Sequence, residues 1–407
     1  MPSYDAPGVY IETVPSGAPP IQGVGTSTTL FVAPCPGAPA PLHQPRAVTN
    51  VTEAMRHFGS DRPEADHLIH ALRGFFQNGG PRAYVIATED ERSVIGDPRR
   101  RTGLHAAAGL DEPALVVCPG VSDVAAQRAV LEHCETMRDR FAVLDAPREV
   151  DDLDRLTRVA TVDAPAAGGG DARAEGDGPP ARPAGGAPGL KPAMSEEGFG
   201  SLNFPWIVVS HHRTGDPVPA PPSGHVAGLY ARTDARRGVH KAPANEVVAG
   251  ALRLTYNAAR AELAMLNRAG VNVIRAFPRR GIRLFGARTL GDPSSEWRYV
   301  NVRRFLIFVE ESLQLGLMRA VFEPHDQFSR DSLRMQIASF LTLQWRDGAL
   351  VGATPEEAFF VKCDVENNPP ESVEAGVLRC DVGLAVVRPA EFVVVRLSQW
   401  SGGAAAA

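Results

Sequence analysis

No apolar run in this 407-residue chain approaches the roughly 18 consecutive residues that a bilayer-spanning helix needs. The longest, such as 305–309 and 392–395, have the size of core elements. Direct membrane insertion is therefore not expected. The opening residues, MPSYDAPGVYIE, have no basic n-region and no apolar h-region. No secretory signal is read, and synthesis in the cytoplasm is expected. Cysteine is scarce: Cys35, Cys118, Cys134, Cys363 and Cys380, with no CxxC pair. That spacing suggests neither a disulfide framework nor a zinc site, and Cys118 and Cys134 read as small core residues. A dominant charge is also lacking. Forty-two Lys and Arg stand against 47 Asp and Glu, a net charge of -5, so nothing draws the whole chain toward nucleic acid or an anionic surface. The arginines are not interleaved with aromatics along one face, which leaves a nucleic-acid groove unsupported.

Signatures of catalysis are missing as well. There is no GxSxG, HExxH or DFG motif. The run Gly23-Val-Gly-Thr-Ser-Thr28 has neither the Gly-Lys-Ser/Thr of a P-loop nor the third spaced glycine of a dinucleotide fingerprint, and reads as a strand-entry turn. His211 and His212 are adjacent, so on a strand their rings would point apart, as in a surface loop rather than a metal site. His225 and His240 flank an arginine-rich stretch that reads as a polar face. Glu310 and Glu311 on a helix point to neighbouring sectors and suit ion pairs with Arg303 or Arg304 better than a catalytic carboxylate pair. No catalytic residue, cofactor or metal is expected.

What is present is an alternation of short apolar strands and amphipathic helices. Strands are expected at 28–32 and 83–87, and helices at 51–58, capped by Thr49 or Asn50, and at 66–76. The clearest unit is the strand at 114–118, the helix at 124–140 and the strand at 141–144, whose lengths fit a βαβ crossover. From 164 to 194, 23 of 31 residues are Ala, Gly or Pro. Such composition cannot bury enough surface to offset chain entropy and predicts a disordered surface spacer. Order is expected to resume with a strand at 206–209 and helices at 224–232 and 246–254. Strands at 271–277 and 282–287 and long helices at 302–321 and 329–345 follow. Strands are expected again at 358–364, 382–387 and 391–397. The fold class is thus α/β and α+β, with mixed sheets flanked by helices and extended terminal arms.

Both chain ends carry strand patterns. Gly8, Val9, Tyr10, Ile11 and Glu12 precede the proline-rich run 15–20, which acts as a stiff hinge. At the other end Glu391, Phe392, Val393, Val394, Val395, Arg396 and Leu397 form a strand that is apolar on both faces. Left unpaired, such an edge invites aggregation. Donation of each strand to a neighbour's sheet solves the problem at both ends, and heterologous contacts of that kind build open helical polymers.

The chain also resembles the contractile tail sheath proteins of phages, R-type bacteriocins and extracellular contractile injection systems. The resemblance runs through Tyr4-Asp-Ala-Pro-Gly-Val-Tyr-Ile-Glu12, Phe75-Phe-Gln-Asn-Gly-Gly80 and Arg140-Phe-Ala-Val-Leu-Asp-Ala-Pro147. It is densest in the second half, at Pro221-Pro-Ser-Gly-His-Val-Ala-Gly-Leu-Tyr-Ala-Arg-Thr-Asp234, Arg237-Gly-Val-His-Lys-Ala-Pro-Ala-Asn245, Tyr299-Val-Asn-Val-Arg-Arg304 and Thr354-Pro-Glu-Glu-Ala-Phe-Phe-Val-Lys-Cys-Asp364. The resemblance implies a structural subunit that polymerises into hexameric rings stacked as a helical sheath. Its partners would be itself, an inner tube protein, and baseplate and terminal cap proteins. A metastable extended lattice would contract without nucleotide and drive the tube through a target envelope. Assembly would take place in the cytoplasm of a bacterial producer, within a phage-tail-like particle that can be released. The corresponding division is an N-terminal arm at 1–22, a first body part at 23–160, a disordered insert at 161–200, a second body part at 201–388 and a C-terminal arm at 389–407. Arg330 and Arg334, one turn apart on a helix, are candidates to face the tube. The competing readings are a baseplate or tube component of the same machine, or an α/β nucleotide-binding hydrolase.

Overall fold

The computed structural model describes residues 20–59, 62–160, 188–392 and 394. The described residues divide into two compact units: a larger one that runs from 24 to 310 and resumes at 386, and a smaller one of residues 20–23 and 311–385.

The larger unit is built on a nine-stranded mixed sheet. Its strands are β1 (Thr29–Pro34), β2 (Arg46–Val48), β3 (Ala83–Thr88), β4 (Leu115–Val117), β5 (Phe141–Asp145), β6 (Gly200–Phe204), β9 (Glu246–Val247), β11 (Val271–Phe277) and β12 (Gly281–Leu284). The order across the sheet is β2-β3-β1-β4-β5-β6-β11-β12-β9. From β3 through β11 every pairing is parallel, and the outer pairings of β2, β12 and β9 are antiparallel. Parallel strands are covered on both faces, which is why β4 and β5 read as unbroken apolar runs and are buried throughout. A separate three-stranded sheet, in the order β10-β7-β8, joins β7 (Ile207–Ser210), β8 (Pro217–Ala220) and β10 (Arg253–Leu254).

The helices of this unit are α1 (Val51–Phe58), α2 (Asp66–Gln77), α3 (Val124–Met137), α4 (Ser223–Arg237) and α5 (Arg260–Arg268), together with the first part of α6 (Val300–Leu317). Asn50 caps α1 by accepting from the Glu53 amide at 2.8 Å, while Glu53 accepts from the Thr49 amide at 2.8 Å, a reciprocal arrangement that satisfies two free donors. Helices α2 and α4 lie backbone to backbone. A Cβ at Gly224 would stand 2.4 Å from the Ala71 carbonyl oxygen, and one at Gly228 2.3 Å from that of Phe75. At the end of β5, Asp145 is fully buried and accepts from the Ser223 hydroxyl (2.6 Å) and amide (2.8 Å) and the Gly120 amide (3.1 Å). It thereby fixes the start of α4 against the sheet.

The smaller unit contains the end of α6, α7 (Gln327–Arg346), α8 (Pro355–Ala358), α9 (Pro370–Glu374) and the hairpin of β13 (Phe359–Lys362) with β14 (Asp381–Leu384). Leu333, Ile337, Phe340 and Leu341 form the buried stripe of α7, and the helix packs on β13. Ile21 closes on α6, where a Cβ at Gly316 would lie 2.7 Å from its side chain.

Several expectations need correction. Residues 246–254 are not helical: they form β9 and β10, separated at Gly250 by a positive φ of 88°. The buried Asn78 side chain bonds both the amide and the carbonyl of Ala249 at 2.9 Å and so holds this stretch extended. Helix α5 was not anticipated, although Glu262 reaches back to the Ala259 amide at 2.6 Å. The expected insert reached residue 200, but 188–200 pack in place. Lys191 is buried, donates to the Ala269 carbonyl at 2.6 Å and bridges to Val159. Cys363 and Cys380 form a disulfide that staples the ends of the β13–β14 hairpin. Helix α6 stops at Leu317 rather than 321, and Met318, just past its end, is exposed.

Candidate functional site

Buried polar networks fix the body of the larger unit. Three polar nodes in the larger unit gather around the start of α6.

The first joins α6 to α4 and to the residues entering β1. Arg304 meets Asp234 at two points, 3.0 and 2.6 Å, and donates to the Thr26 carbonyl at 2.9 Å. The Thr26 hydroxyl donates to Asp234 at 2.8 Å. Both charged side chains are almost wholly buried. A fork-on-fork pair of this kind, with its remaining lone pairs satisfied, is directional as well as strong.

A second node holds Arg303, whose guanidinium lies 4.0 Å from the Phe199 ring centroid and 5.0 Å from that of Trp297. It meets Glu197 at 3.1 Å and Glu310 at 3.4 Å, and Arg138 meets the same two carboxylates at 2.9 and 3.6 Å. The expected role of Glu310 as an ion-pair partner of Arg303 is thus realised.

The third node anchors the chain's last described segment. Glu391 accepts from Arg288 (2.8 and 3.1 Å), Asn267 (2.6 Å) and Tyr299 (3.2 Å). Burial alone would raise its pKa, but the bonds from Arg288 and Asn267 outweigh it and hold the carboxyl below its ordinary value. Asn301 adds a bond to the Val387 carbonyl at 3.1 Å. One residue past this anchor the side chains turn outward: Phe392 is 74% exposed and Val394 80%.

Of the arm residues expected from sequence, Gly8, Val9, Tyr10, Ile11, Glu12, Val393, Val395, Arg396 and Leu397 lie outside the described residues. Glu391 and Phe392 belong to no strand within this chain. Of the candidate tube-facing residues, Arg334 is exposed on α7 and pairs with Asp331 at 2.9 Å, and Arg330 is half-buried. Sequence reasoning passed over the apolar side chains around them. Phe322, Phe328, Met318, Val321, Met335 and Leu343 are all exposed in the smaller unit. Their hydrophobicity was visible, but only the fold shows that they stand exposed among the described residues.

The histidines also depart from expectation. His225 is buried in α4, where its ring fills the space left by Gly74. His211 and His212 do not point apart. Their ring centroids are 4.6 Å from one another, and both lie beside His70 of α2.

Two family profiles match the chain in tandem: the phage tail sheath protein central domain over residues 102–290 and the phage tail sheath C-terminal domain over residues 292–399. The tail sheath protein of Burkholderia phage BcepMu is 30% identical over 47% of this chain and 40% of that protein. The tail sheath protein of Vibrio phage KVP40 is 28% identical over 42% of this chain and 25% of its own length. The chain therefore spans less than half the length of these curated relatives. Among solved structures, the sheath of the extracellular contractile injection system PVC in its contracted state is 26% identical. It aligns over 98% of this chain and 99% of its own, with a TM-score of 0.73. The contracted helical sheath of the anti-feeding prophage is 28% identical and aligns over 98% of this chain and all of its own, with a TM-score of 0.72.

Proposed function

This chain belongs to the phage tail sheath family, a family of structural proteins, and we propose that it is the sheath subunit of a contractile injection particle. The observation that carries the reading is its end-to-end correspondence with injection-system sheaths, over 98% of its length. The curated phage sheaths, by contrast, are matched over only 25–40% of their lengths.

In this reading subunits form hexameric rings that stack helically around an inner tube, between a baseplate and a terminal cap. A six-fold symmetrised baseplate of the anti-feeding prophage is among the structures the chain resembles. The N-terminal arm, rooted in the smaller unit, and the C-terminal arm, rooted at Glu391 in the larger unit, each add a strand to a neighbour's sheet. The exposed Phe392 and Val394 support this, because strand residues of that kind leave water only when a partner covers them. The exposed apolar side chains of the smaller unit, with Arg330 and Arg334 among them, offer contacts to the tube and to adjacent rings. Contraction is then a rigid-body rotation of subunits about their arms. It is driven by the surface that neighbouring subunits bury as the lattice compacts, and it needs no nucleotide, cofactor or catalytic group. Assembly takes place in the cytoplasm of the producing bacterium, before any release of the particle. Among the described residues no helix is long and apolar enough to cross a membrane.

Electron microscopy of the purified full-length chain, alone and with its tube protein, tests the proposal. Hollow rods with a cogwheel cross-section are expected. Discrete globular particles at every concentration would overturn it.

A further inference from the structure

We propose that Asp66, His70 and His212, with His211 positioning Asp66, form a binding site for one divalent transition-metal ion of the zinc class. Nothing in the sheath reading calls for such a site, and the inference does not rest on that reading.

The fold brings these residues together from two places. Asp66 and His70 are four residues apart on α2, so their side chains share one face of the helix. His211 and His212 follow β7 in a turn closed by bonds between His211 and Asp216 (2.7 Å) and between Gly215 and His211 (3.0 Å). All four lie in the larger unit. Ligand-capable atoms of the three imidazoles fall within 4.8 Å of one another.

The spacings suit an ion better than they suit hydrogen bonds. A tetrahedral zinc ion with bonds of about 2.0–2.2 Å holds its donors about 3.3–3.6 Å apart. His70 Nε2 lies 3.4 Å from His212 Nδ1, and His212 Nδ1 lies 3.7 Å from Asp66 Oδ1. The backbone amide of His212 also approaches His70 Nε2, at 3.4 Å, the long limit for a hydrogen bond. Three polar atoms here are buried without a hydrogen-bond partner: Asp66 Oδ1, His70 Nδ1 and His212 Nε2. Buried acceptors are normally satisfied, and Asp66 Oδ1 is the atom a cation would claim. The two orphaned ring nitrogens are those that carry the proton when His70 ligates through Nε2 and His212 through Nδ1.

His211 takes a different part. Its Nδ1 accepts from the amides of Arg213 (3.3 Å) and Thr214 (3.2 Å), which leaves the proton on Nε2. That nitrogen donates to Asp66 Oδ2 at 3.3 Å. The second carboxylate oxygen is thereby held, and Oδ1 is turned toward His212, as metal-binding carboxylates are commonly held by a further hydrogen bond. Two cations oppose the ion: Arg213, whose Nη2 lies 4.0 Å from Asp66 Oδ1, and Arg73, which donates to the Ser210 carbonyl beside the histidine pair at 3.3 Å. Arg213 and the ion compete for that oxygen.

Cobalt(II) titration of the chelator-treated, untagged full-length chain, followed by visible absorption and by zinc displacement, tests the site. One equivalent should bind, with the intense absorption of a four-coordinate ion. Asp66→Asn and His212→Gln should abolish the band while circular dichroism stays native. His211→Gln should weaken binding about tenfold, and Arg213→Ala should tighten it several-fold. Absence of any such band in the wild-type chain would overturn the proposal independently of the variants. A band that survives unchanged in both Asp66→Asn and His212→Gln would do the same.

Discussion

The Glu391 carboxylate faces the Arg288 guanidinium in a two-point pair, at 2.8 and 3.1 Å, with both side chains mostly buried. Beyond this contact the chain turns out to solvent at Phe392. The pair therefore fixes the last described segment to the larger unit. Glu391, expected in a strand, serves here as an anchor and lies in no strand.

Glu391→Ala is expected to destabilise the larger unit by about 1.5–3 kcal/mol, the range for buried hydrogen bonds to charged groups. The effect should depend on pH with a definite sign. The folded-state pKa of Glu391 lies below its ordinary 4.5. Its contribution is fully present above that value and is lost as pH falls through the folded pKa. Urea denaturation should show the wild type and Glu391→Gln separated at pH 7 and converging as pH falls well below 4.5. A gap that stays constant over that range would mean that the carboxylate charge contributes nothing.

The buried pair Arg304–Asp234 lends itself to a mutant cycle. Removing one member leaves the other charged and unpaired, and Arg304→Met or Asp234→Leu alone should each cost about 3–5 kcal/mol. The double replacement should recover a large part of that loss, because neither charge is then stranded. Strictly additive losses would show that the two residues act through separate partners, such as Thr26 or Tyr230.

How legible these features were in sequence depended on how local their causes are. The βαβ unit of β4, α3 and β5 could be read because strand runs and helical spacing all lie within one short segment. By contrast, 246–254 depends on the Asn78 side chain, 171 residues earlier in sequence, to hold Ala249 extended. Its apolar spacing alone imitates a helix. The Cys363–Cys380 bond escaped because cysteine counts carry no information about which two come together in a hairpin. The same holds for His70 with His211 and His212. Adjacent histidines on an ideal strand diverge, but these two occupy the turn after β7. The anchoring role of Glu391 was hidden because its partners, at 267, 288 and 299, are more than 90 residues away.

The Ala/Gly/Pro-rich stretch offers a further test, with a boundary that the structure moves. Composition from 164 to 187 predicts a spacer whose deletion leaves stability and rod formation unchanged. Extending the deletion through 194 removes Lys191, together with its bond to Ala269 and its bridge to Val159. That longer deletion should lower the thermal midpoint by several degrees. Differential scanning calorimetry on the two deletions decides. Equal midpoints would show that 188–194 contribute nothing to the body, and loss of rods from the shorter deletion would show that 164–187 is no spacer.

The last prediction concerns the arms and uses the anchor to separate folding from assembly. Removal of residues 1–14, or of everything after Phe392, should leave a folded, soluble subunit that no longer polymerises. Each lost strand would forfeit several ladder bonds worth about 0.5–1.5 kcal/mol apiece. Burial of large side chains such as Val394 would add about 1.5–3 kcal/mol each. Ordering a free arm costs about 1–2 kcal/mol per residue, so the net gain at one contact is modest and the lattice depends on repetition. Truncation after Pro389 differs in kind, because it also removes Glu391 and its bonds to Arg288, Asn267 and Tyr299. It should lower the stability of the subunit itself, whereas truncation after Phe392 should not. Circular dichroism melts and sedimentation velocity on the three truncated chains distinguish these outcomes. Rods from the chain ending at Phe392 would refute strand donation at the C-terminus. Equal melting of the chains ending at Pro389 and Phe392 would refute the anchor.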